Sequence, residues 1–240
     1  MNIFDFPPLA AALSAASAGL SGLGALVTPA LAIVLVTLVV RAALIPVGVS
    51  LARANQARQR LAPELAALRK RWAKNPERLQ RETMALYAAA KVSPFAGCLP
   101  ALMQAPVLTL VYALFASPVI SGAPNELLTH TLFGAPLGLH FTEVFAAFTP
   151  TDLVLVAVVV AIAVVAWLSR RMTRQQLAES PATASGPAPG LAKALSWAPF
   201  ITVIAACFVP LAAALYLAVS TTWSYVERRI LRRAYPPVTA

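Results

Sequence analysis

The amino-acid sequence predicts an all-α polytopic membrane protein with five transmembrane helices and a cytoplasmic antiparallel helical hairpin. Of its 240 residues, 59% are hydrophobic and 12% are charged, and the mean hydropathy is +0.74. Such a composition is typical of polytopic membrane proteins and excludes an ordinary soluble domain. Apolar runs of about 20 residues, separated by basic or polar segments, then give the number of spans.

The basic residues indicate the orientation of the chain. The net charge is +10, and every Lys and Arg except Arg41 falls within residues 53–91, 170–193 or 228–233. Basic clusters in alternate connecting segments mark the cytoplasmic side of a membrane. We therefore expect the N-terminus outside and the C-terminus inside, which requires an odd number of spans. Contact with anionic lipid is a second expectation from the charge, whereas specific nucleic-acid binding is not expected.

The segments follow from composition, taken in order along the chain. Residues 1–23 lack the basic region of a secretory signal and are predicted to be an outside interfacial segment. The other predicted segments are transmembrane helix 1 (24–49), the cytoplasmic hairpin (50–93), transmembrane helix 2 (98–119), an outside loop (120–150), transmembrane helix 3 (152–169), a cytoplasmic loop (170–190), transmembrane helix 4 (191–209), transmembrane helix 5 (211–230) and a short cytoplasmic tail (231–240).

The hairpin is predicted from two helical patterns with a helix start between them. Apolar residues recur at three- and four-residue spacing on both sides of Lys74-Asn75-Pro76-Glu77. Asn is a good N-cap, Pro suits the first helical position, and Glu suits the first turn. The alternative is a solvated linker between two spans.

One cation interrupts the first span. Arg41 lies within more than twenty otherwise uncharged residues, and a guanidinium near the bilayer centre costs about 2.5–3.5 kcal/mol on insertion scales. The side chain could reach the headgroups, since the end of the run is about six residues away. Thr37, one helical turn earlier on the same face, instead favours a polar stripe that faces the protein interior or a wet cavity. Gln104 places a second polar group at a similar depth in the second span.

The sequence lacks the patterns of common catalytic and metal sites. It contains no Gly-x-Ser-x-Gly, no phosphate-binding glycine-rich loop and no pair of carboxylates within the spans. His130 and His140 stand ten positions apart, which is a poor match to metal-ligand spacing. We therefore expect neither an enzyme nor a metal site.

Several strings in the sequence resemble the YidC/Oxa/Alb family of membrane protein insertases. The similarity covers residues 37–115 and resumes over residues 197–231. It includes Thr37-x-x-x-Arg41, Met84-Ala85-Leu86-Tyr87 and Gly97-Cys98-Leu99-Pro100. The chain resembles the short, Gram-positive or actinobacterial form of that family.

The resemblance implies a five-helix core around a hydrophilic groove that opens to the cytoplasm and to lipid. Substrate-binding residues in such a groove would be Arg41, Thr37, Gln104, Tyr112, Tyr216 and Ser220. The cytoplasmic hairpin, through Met84 and Tyr87, would receive the substrate.

The implied function is that of a membrane protein insertase and chaperone without enzymatic activity or cofactor. It would translocate short polar tails through the groove and release apolar helices into lipid. The implied partners are nascent or newly made membrane proteins and the bilayer, with the Sec translocon as a further candidate. Ribosome docking is left open because the basic tail is short. A functional monomer in the bacterial plasma membrane is expected.

Two other functions fit part of the sequence. A small solute channel or transporter could use Arg41 as an anion site, and a structural membrane scaffold would need no charge there. A solute pathway needs no amphipathic hairpin with a Met84/Tyr87 face, and the hydropathy shows no inverted repeat. These features favour the insertase.

Overall fold

The computed structural model describes residues 19, 22, 27–90, 119–120, 123–125, 130–146, 149–179, 194 and 196–236, and these are predominantly helical. The helices are α1 (Pro29–Ala43), α2 (Ile45–Arg60), α3 (Ala62–Arg71), α4 (Pro76–Ala89), α5 (Phe141–Ala146), α6 (Leu153–Glu179), α7 (Pro199–Ala206) and α8 (Leu211–Ala234). The strands form two antiparallel pairs, β1 (Val119–Ile120) with β2 (Ala123–Pro124), and β3 (Thr131–Leu132) with β4 (Ala135–Pro136). The predicted outside segment 1–23 and transmembrane helix 2 lie almost entirely outside the described residues.

The first apolar run forms two helices instead of one. α1 ends at Ala43 and α2 begins at Ile45, with a turn at Leu44 between them. Pro46 accounts for the break, because proline has no backbone N–H and its ring clashes with the carbonyl four residues earlier. Regular bonding resumes where the Gly48 N–H donates to the Leu44 carbonyl at 3.1 Å. The predicted span 24–49 is therefore interrupted near its end.

By length and hydropathy, one helix among the described residues could cross a membrane by itself, namely Pro150–Gln175. Helices Pro29–Ala43 and Ile45–Ala57 pass the same test only when they are taken together as one broken span. α7 has eight residues, and α8 carries Glu227 and four arginines in its second half. The described residues are thus predominantly helical with one clear apolar span, and the number of five spans stays a prediction.

The chain divides into two compact units. The first, here called the apolar unit, consists of Met1–Ala43, Met103–Ala166 and Phe200–Trp223. Its main core combines residues from α1, α6, α7, α8 and the loop after β4. The buried members are Ala30, Ala32, Ile33, Leu137, Ile162, Ala206, Ala212, Tyr216 and Leu217. Several of them are alanines, which let helix backbones approach closely.

Within the apolar unit, the loop after β4 caps the last helix. β3 and β4 are joined by Phe133 and Gly134, which both have positive φ, 48° and 86°, as a tight primed hairpin turn requires. The chain then brings the carbonyls of Leu137 and Leu139 to the start of α8. They accept hydrogen bonds from the N–H groups of Ala212 at 3.0 Å and Leu211 at 2.8 Å. Two donors that a helix leaves without intrahelical partners are thereby satisfied.

A local cap fixes the start of α6. The backbone N–H of Thr149 donates to Asp152 Oδ2 at 2.7 Å, and a short 3-10 turn, Pro150–Asp152, leads into the helix. Asp152 is buried, and its carboxylate lies at the N-terminal end of α6, where the helix dipole favours negative charge. This arrangement begins the longest apolar helix among the described residues.

The second unit, here called the basic unit, consists of Leu44–Leu102, Trp167–Pro199 and Ser224–Ala240. Its α3 and α4 contact each other, and Asn75 Oδ1 accepts from the backbone N–H of Arg78 at 3.0 Å. The predicted N-cap at Asn75, with Pro76 at the first helical position, is therefore confirmed. Arg78 also covers Trp72, with its guanidinium carbon 4.2 Å from the ring centroid. That the two helices form a cytoplasmic antiparallel hairpin stays a prediction.

Candidate functional site

Arg41 and Ser220, which are distant in sequence, are hydrogen-bonded in the apolar unit. Arg41 Nη2 donates to Ser220 Oγ. α1 supplies the arginine in its last turn, and α8 supplies the serine. Ser220 is 2% exposed and Arg41 is half-buried. Because a guanidinium removed from water needs polar partners, this hydrogen bond lowers the cost of holding a fixed positive charge next to an apolar core.

Thr37 and Tyr216 are buried one helical turn before the two bonded residues. Thr37 precedes Arg41 by four positions on α1, and Tyr216 precedes Ser220 by four positions on α8. Thr37 Oγ1 donates to the Ile33 carbonyl at 2.6 Å, and Tyr216 packs in the main core cluster. Residues four apart share a helix face. The Arg41–Ser220 hydrogen bond therefore joins two short polar stripes, one from each helix.

The structure does not bring all the predicted site residues together. Gln104 and Tyr112 lie outside the described residues. Met84 and Tyr87 belong to α4 of the basic unit, where Met84 is 49% exposed and Tyr87 is half-buried. α4 contains no buried residue. Its apolar side chains are therefore available at the surface of the described structure.

Sequence reasoning missed a set of arginine–aromatic pairs in the basic unit. The guanidinium carbon of Arg170 lies 3.7 Å from the ring centroid of Trp197, and that of Arg171 lies 5.8 Å from Trp167. Arg170 Nε is buried without a hydrogen-bond partner among the described residues, so the ring face supplies a stabilising contact. The available signal was Trp next to Arg at the ends of apolar runs, which sequence analysis used only to assign orientation.

Two further contacts in the basic unit involve α8. Arg228 Nη2 lies 3.4 Å from Ser169 Oγ and donates to it. Gly48 on α2 approaches α8 so closely that an added Cβ would collide with the Glu227 carboxylate. A glycine inside a helical pattern often signals such an approach.

A cavity of about 540 Å³ opens between α6 and α8 in the basic unit. Its lining residues are Leu168, Arg171, Met172, Gln175, Tyr225, Arg229, Arg232 and Arg233. The residues from each helix recur at three- and four-residue spacing, so one stripe of each helix lines the cavity. Arg229 Nη1 donates to Tyr225 Oη at 2.9 Å. Among the described residues, four guanidinium groups and no carboxylate line this cavity.

Metal ligands are not clustered in the part of the chain that the structure describes. No group of three His, Cys, Asp or Glu side chains there could hold a metal ion. His140 Nδ1 lies 3.8 Å from Glu143 Oε1, a contact between one histidine and one carboxylate.

Comparison with known proteins gives consistent matches. The model of the 60Kd inner membrane protein family matches residues 24–237. Over 83 residues the chain is 43% identical to a membrane protein insertase YidC of Clostridium perfringens, covering 35% of each chain. Over 197 residues it is 30% identical to the YidC of Zymomonas mobilis, covering 77% of this chain and 30% of the relative. A Burkholderia mallei YidC is 37% identical over 102 residues, 42% of this chain and 18% of the relative. The chain thus spans about a third or less of the length of the curated relatives it matches.

Proposed function

Because the chain belongs to the 60Kd inner membrane protein family, the YidC/Oxa/Alb family, we propose that it is a membrane protein insertase and chaperone. It is a bacterial plasma-membrane protein of a family that is not an enzyme family. The proposed activity translocates short polar tails of membrane proteins and releases their apolar helices into lipid. The relatives are named as insertases, which gives no support to a solute channel.

The hydrogen bond between Arg41 and Ser220 is the observation that carries the proposed mechanism. Arg41 cannot lose its proton, so its charge is permanent. Two unit charges 4 Å apart attract by about 1 kcal/mol in water and by about 4 kcal/mol at an effective dielectric constant of 20. A half-buried guanidinium therefore attracts the carboxylate of an entering tail more strongly than a surface arginine does.

The attraction to Arg41 is large enough to offset the cost of moving one carboxylate into the membrane. Placing an Asp in the centre of a bilayer costs about 2.5–3.5 kcal/mol on insertion scales. The attraction to one half-buried arginine is of the same order, so Arg41 can offset one carboxylate of the substrate. The apolar helix behind the tail contributes about 0.3–0.6 kcal/mol for each central Leu, Ile, Phe or Val that enters lipid. Tails with one or two acidic residues are therefore the expected substrates.

The proposed groove extends beyond this pair. Thr37 and Tyr216 lie one turn away on the same two helices, and we assign Gln104 and Tyr112 of the predicted second span to the same groove. The exposed Met84 and neighbouring Tyr87 are proposed to receive the substrate, because α4 offers apolar side chains without burying them.

The remaining topology is proposed from the distribution of charge. The basic segments support five spans, an outside N-terminus and a cytoplasmic C-terminus. We propose that the protein works as a monomer on nascent or newly made membrane proteins. The Sec translocon and the ribosome are candidate partners.

Insertion into liposomes that contain only this protein tests the proposal. The substrate would be a single-span protein whose short N-terminal tail carries one Asp, and protection of the tail from external protease would be measured. We expect protection with the wild type and at least a fivefold loss with Arg41→Ala. Arg41→Lys should keep most of the activity, because it keeps the charge.

A matched control separates capture of the charge from general damage. Arg60→Ala removes an exposed cation from α2, a helix to which no site residue is assigned, and should leave insertion unchanged. A substrate with Asn in place of the Asp should insert equally well with wild type and Arg41→Ala. If the wild type protects no more tail than empty liposomes do, the insertase function is wrong. If Arg41→Ala is fully active on the Asp substrate, only the capture mechanism is wrong.

A further inference from the structure

We propose that the cavity between α6 and α8 of the basic unit binds the phosphate headgroup of an anionic phospholipid. The cavity is lined by Arg171 from α6 and by Arg229, Arg232 and Arg233 from α8. Guanidinium groups bind phosphate oxygens through pairs of charge-assisted hydrogen bonds. The volume of about 540 Å³ falls within the range of about 300–1,000 Å³ that is typical of small-molecule sites.

The sequences of both helices place the cavity at headgroup depth. Residues 153–168 of α6 and 211–226 of α8 carry no charge. The first cavity arginine of each helix, Arg171 or Arg229, stands in the charged segment that follows, which on α8 also contains Glu227. Trp167 and Tyr225 stand at the transitions, and aromatic residues of this kind are enriched where a bilayer meets water. The four arginines therefore lie where lipid phosphates are concentrated.

The other lining residues favour lipid over nucleic acid. Leu168 and Met172 give the α6 side of the cavity an apolar surface, which suits the glycerol backbone and the first acyl carbons. Tyr225 accepts a hydrogen bond from Arg229, which holds that guanidinium at the cavity wall. Nucleic acid instead prefers a basic track along which several successive phosphates are neutralised. Basic pockets between membrane helices on the cytoplasmic side are a known form of lipid-headgroup site.

Binding of defined lipids to the purified full chain tests this site. The delipidated protein in neutral detergent would be titrated with phosphatidylglycerol or with phosphatidylcholine of the same acyl chains, and bound lipid counted by native mass spectrometry. We expect preferential binding of phosphatidylglycerol. Each arginine removed should weaken its affinity about fivefold, so Arg229→Gln with Arg233→Gln should lose about 25-fold. The double lysine variant at the same positions should stay within about threefold of wild type.

The control removes the same number of charges elsewhere. Arg60→Gln with Arg81→Gln changes two exposed arginines that do not line the cavity, and it should bind phosphatidylglycerol like the wild type. If the double cavity variant does not fold, as judged by its thermal unfolding, Arg233→Gln alone replaces it with an expected fivefold loss.

Three results would overturn the proposal. The first is equal binding of phosphatidylglycerol and phosphatidylcholine, or an equal loss in the control variant. The second is displacement of the lipid by inorganic phosphate at equal concentration, which would indicate a general anion site. The third concerns a short single-stranded RNA: the double cavity variant binds this RNA more weakly than the wild type does, but binds phosphatidylglycerol equally well. Because lipid binding is measured without any substrate protein, the outcome is independent of the insertase proposal.

Discussion

The apolar unit holds its one described guanidinium with a hydrogen bond, whereas the basic unit adds contacts with aromatic rings to the hydrogen bonds of Arg228 and Arg229. Arg41, the one cation among the described residues of the apolar unit, donates to the buried hydroxyl of Ser220. In the basic unit, Arg170, Arg171 and Arg53 lie over the rings of Trp197, Trp167 and Tyr235. A hydroxyl accepts one N–H along a defined direction, whereas a ring face attracts the whole cation with little directional demand.

The hydrogen bond fixes the position of one guanidinium, whereas the ring contacts hold guanidinium groups near a surface without fixing their position. If Arg41 contacts a substrate as we propose, its charge has to be held at one place, which a hydrogen bond to a buried side chain achieves. Arginines near the ends of apolar helices need only a contact that tolerates movement, and Trp and Tyr provide it. We therefore expect the stability of the apolar unit to depend on packing and on hydrogen bonds such as Arg41–Ser220, and that of the basic unit to depend also on several weaker ring contacts.

The largest effect is expected from Ile162→Ala in the apolar unit. Ile162 is 1% exposed in the main core, so its truncation should lower the free energy of unfolding by about 2–5 kcal/mol. Val160, on the same helix, is 55% exposed, and Val160→Ala should cost less than about 1 kcal/mol. Denaturant titration in detergent micelles would measure both. Equal costs would mean that packing does not dominate in the apolar unit.

Ser220→Ala should have the next largest effect. It removes a buried hydroxyl that accepts a hydrogen bond from Arg41, and hydrogen bonds to charged groups contribute about 1.5–3 kcal/mol. Thr222→Ala is the matched control, since Thr222 is exposed and its hydroxyl donates only to the Ala218 carbonyl of its own helix at 2.7 Å. The same unfolding measurement applies. A cost for Ser220→Ala no greater than that of the control would remove the positioning role assigned to this serine.

Trp197→Leu tests the corresponding contact in the basic unit. Loss of the ring under Arg170 should cost about 0.5–2 kcal/mol, and Trp197→Phe should recover part of it. A double-mutant cycle with Arg170→Met isolates the pair from the other contacts of Trp197. A coupling energy near zero would show that ring stacking does not stabilise this unit.

The smallest effect is expected from Gly48→Ala. The added Cβ displaces the Glu227 carboxylate, which is the end of a flexible side chain and can move. Replacing a helical glycine by alanine gains about 1 kcal/mol of helix propensity, which offsets that displacement. The melting temperature should therefore change little, whereas Gly48→Leu should lower it clearly. A large loss with alanine would indicate that Glu227 is fixed, contrary to the tolerant contacts inferred for this unit.

Local features of the fold could be predicted from the sequence, and contacts between distant segments could not. Asn75 with Pro76 predicted a helix start, which is confirmed, because capping depends on neighbouring residues alone. The family predicted from similarity over residues 37–115 and 197–231 is confirmed by the match of the family model over residues 24–237. The break at Leu44 follows from Pro46 but was not predicted, since the apolar run was treated as one helix.

In the candidate site, too, residues close in sequence could be predicted, whereas contacts between distant helices could not. Arg41 and Thr37 could be selected from sequence because one turn separates them, whereas Ser220 came from family resemblance. Which side chain would hold the guanidinium depends on how α1 and α8 pack, and periodicity does not contain that information. The pairing of Arg170 with Trp197 depends on tertiary structure for the same reason.

The carbonyls of Leu137 and Leu139 have a consequence for the order in which the protein assembles. They are synthesised before Leu211 and Ala212, whose N–H groups they accept. A chain that folds as it is made presents these acceptors before the last helix emerges. The first turn of α8 can then form its hydrogen bonds to carbonyls that are already present. The position of α8 along its own axis is thereby set by the earlier segment.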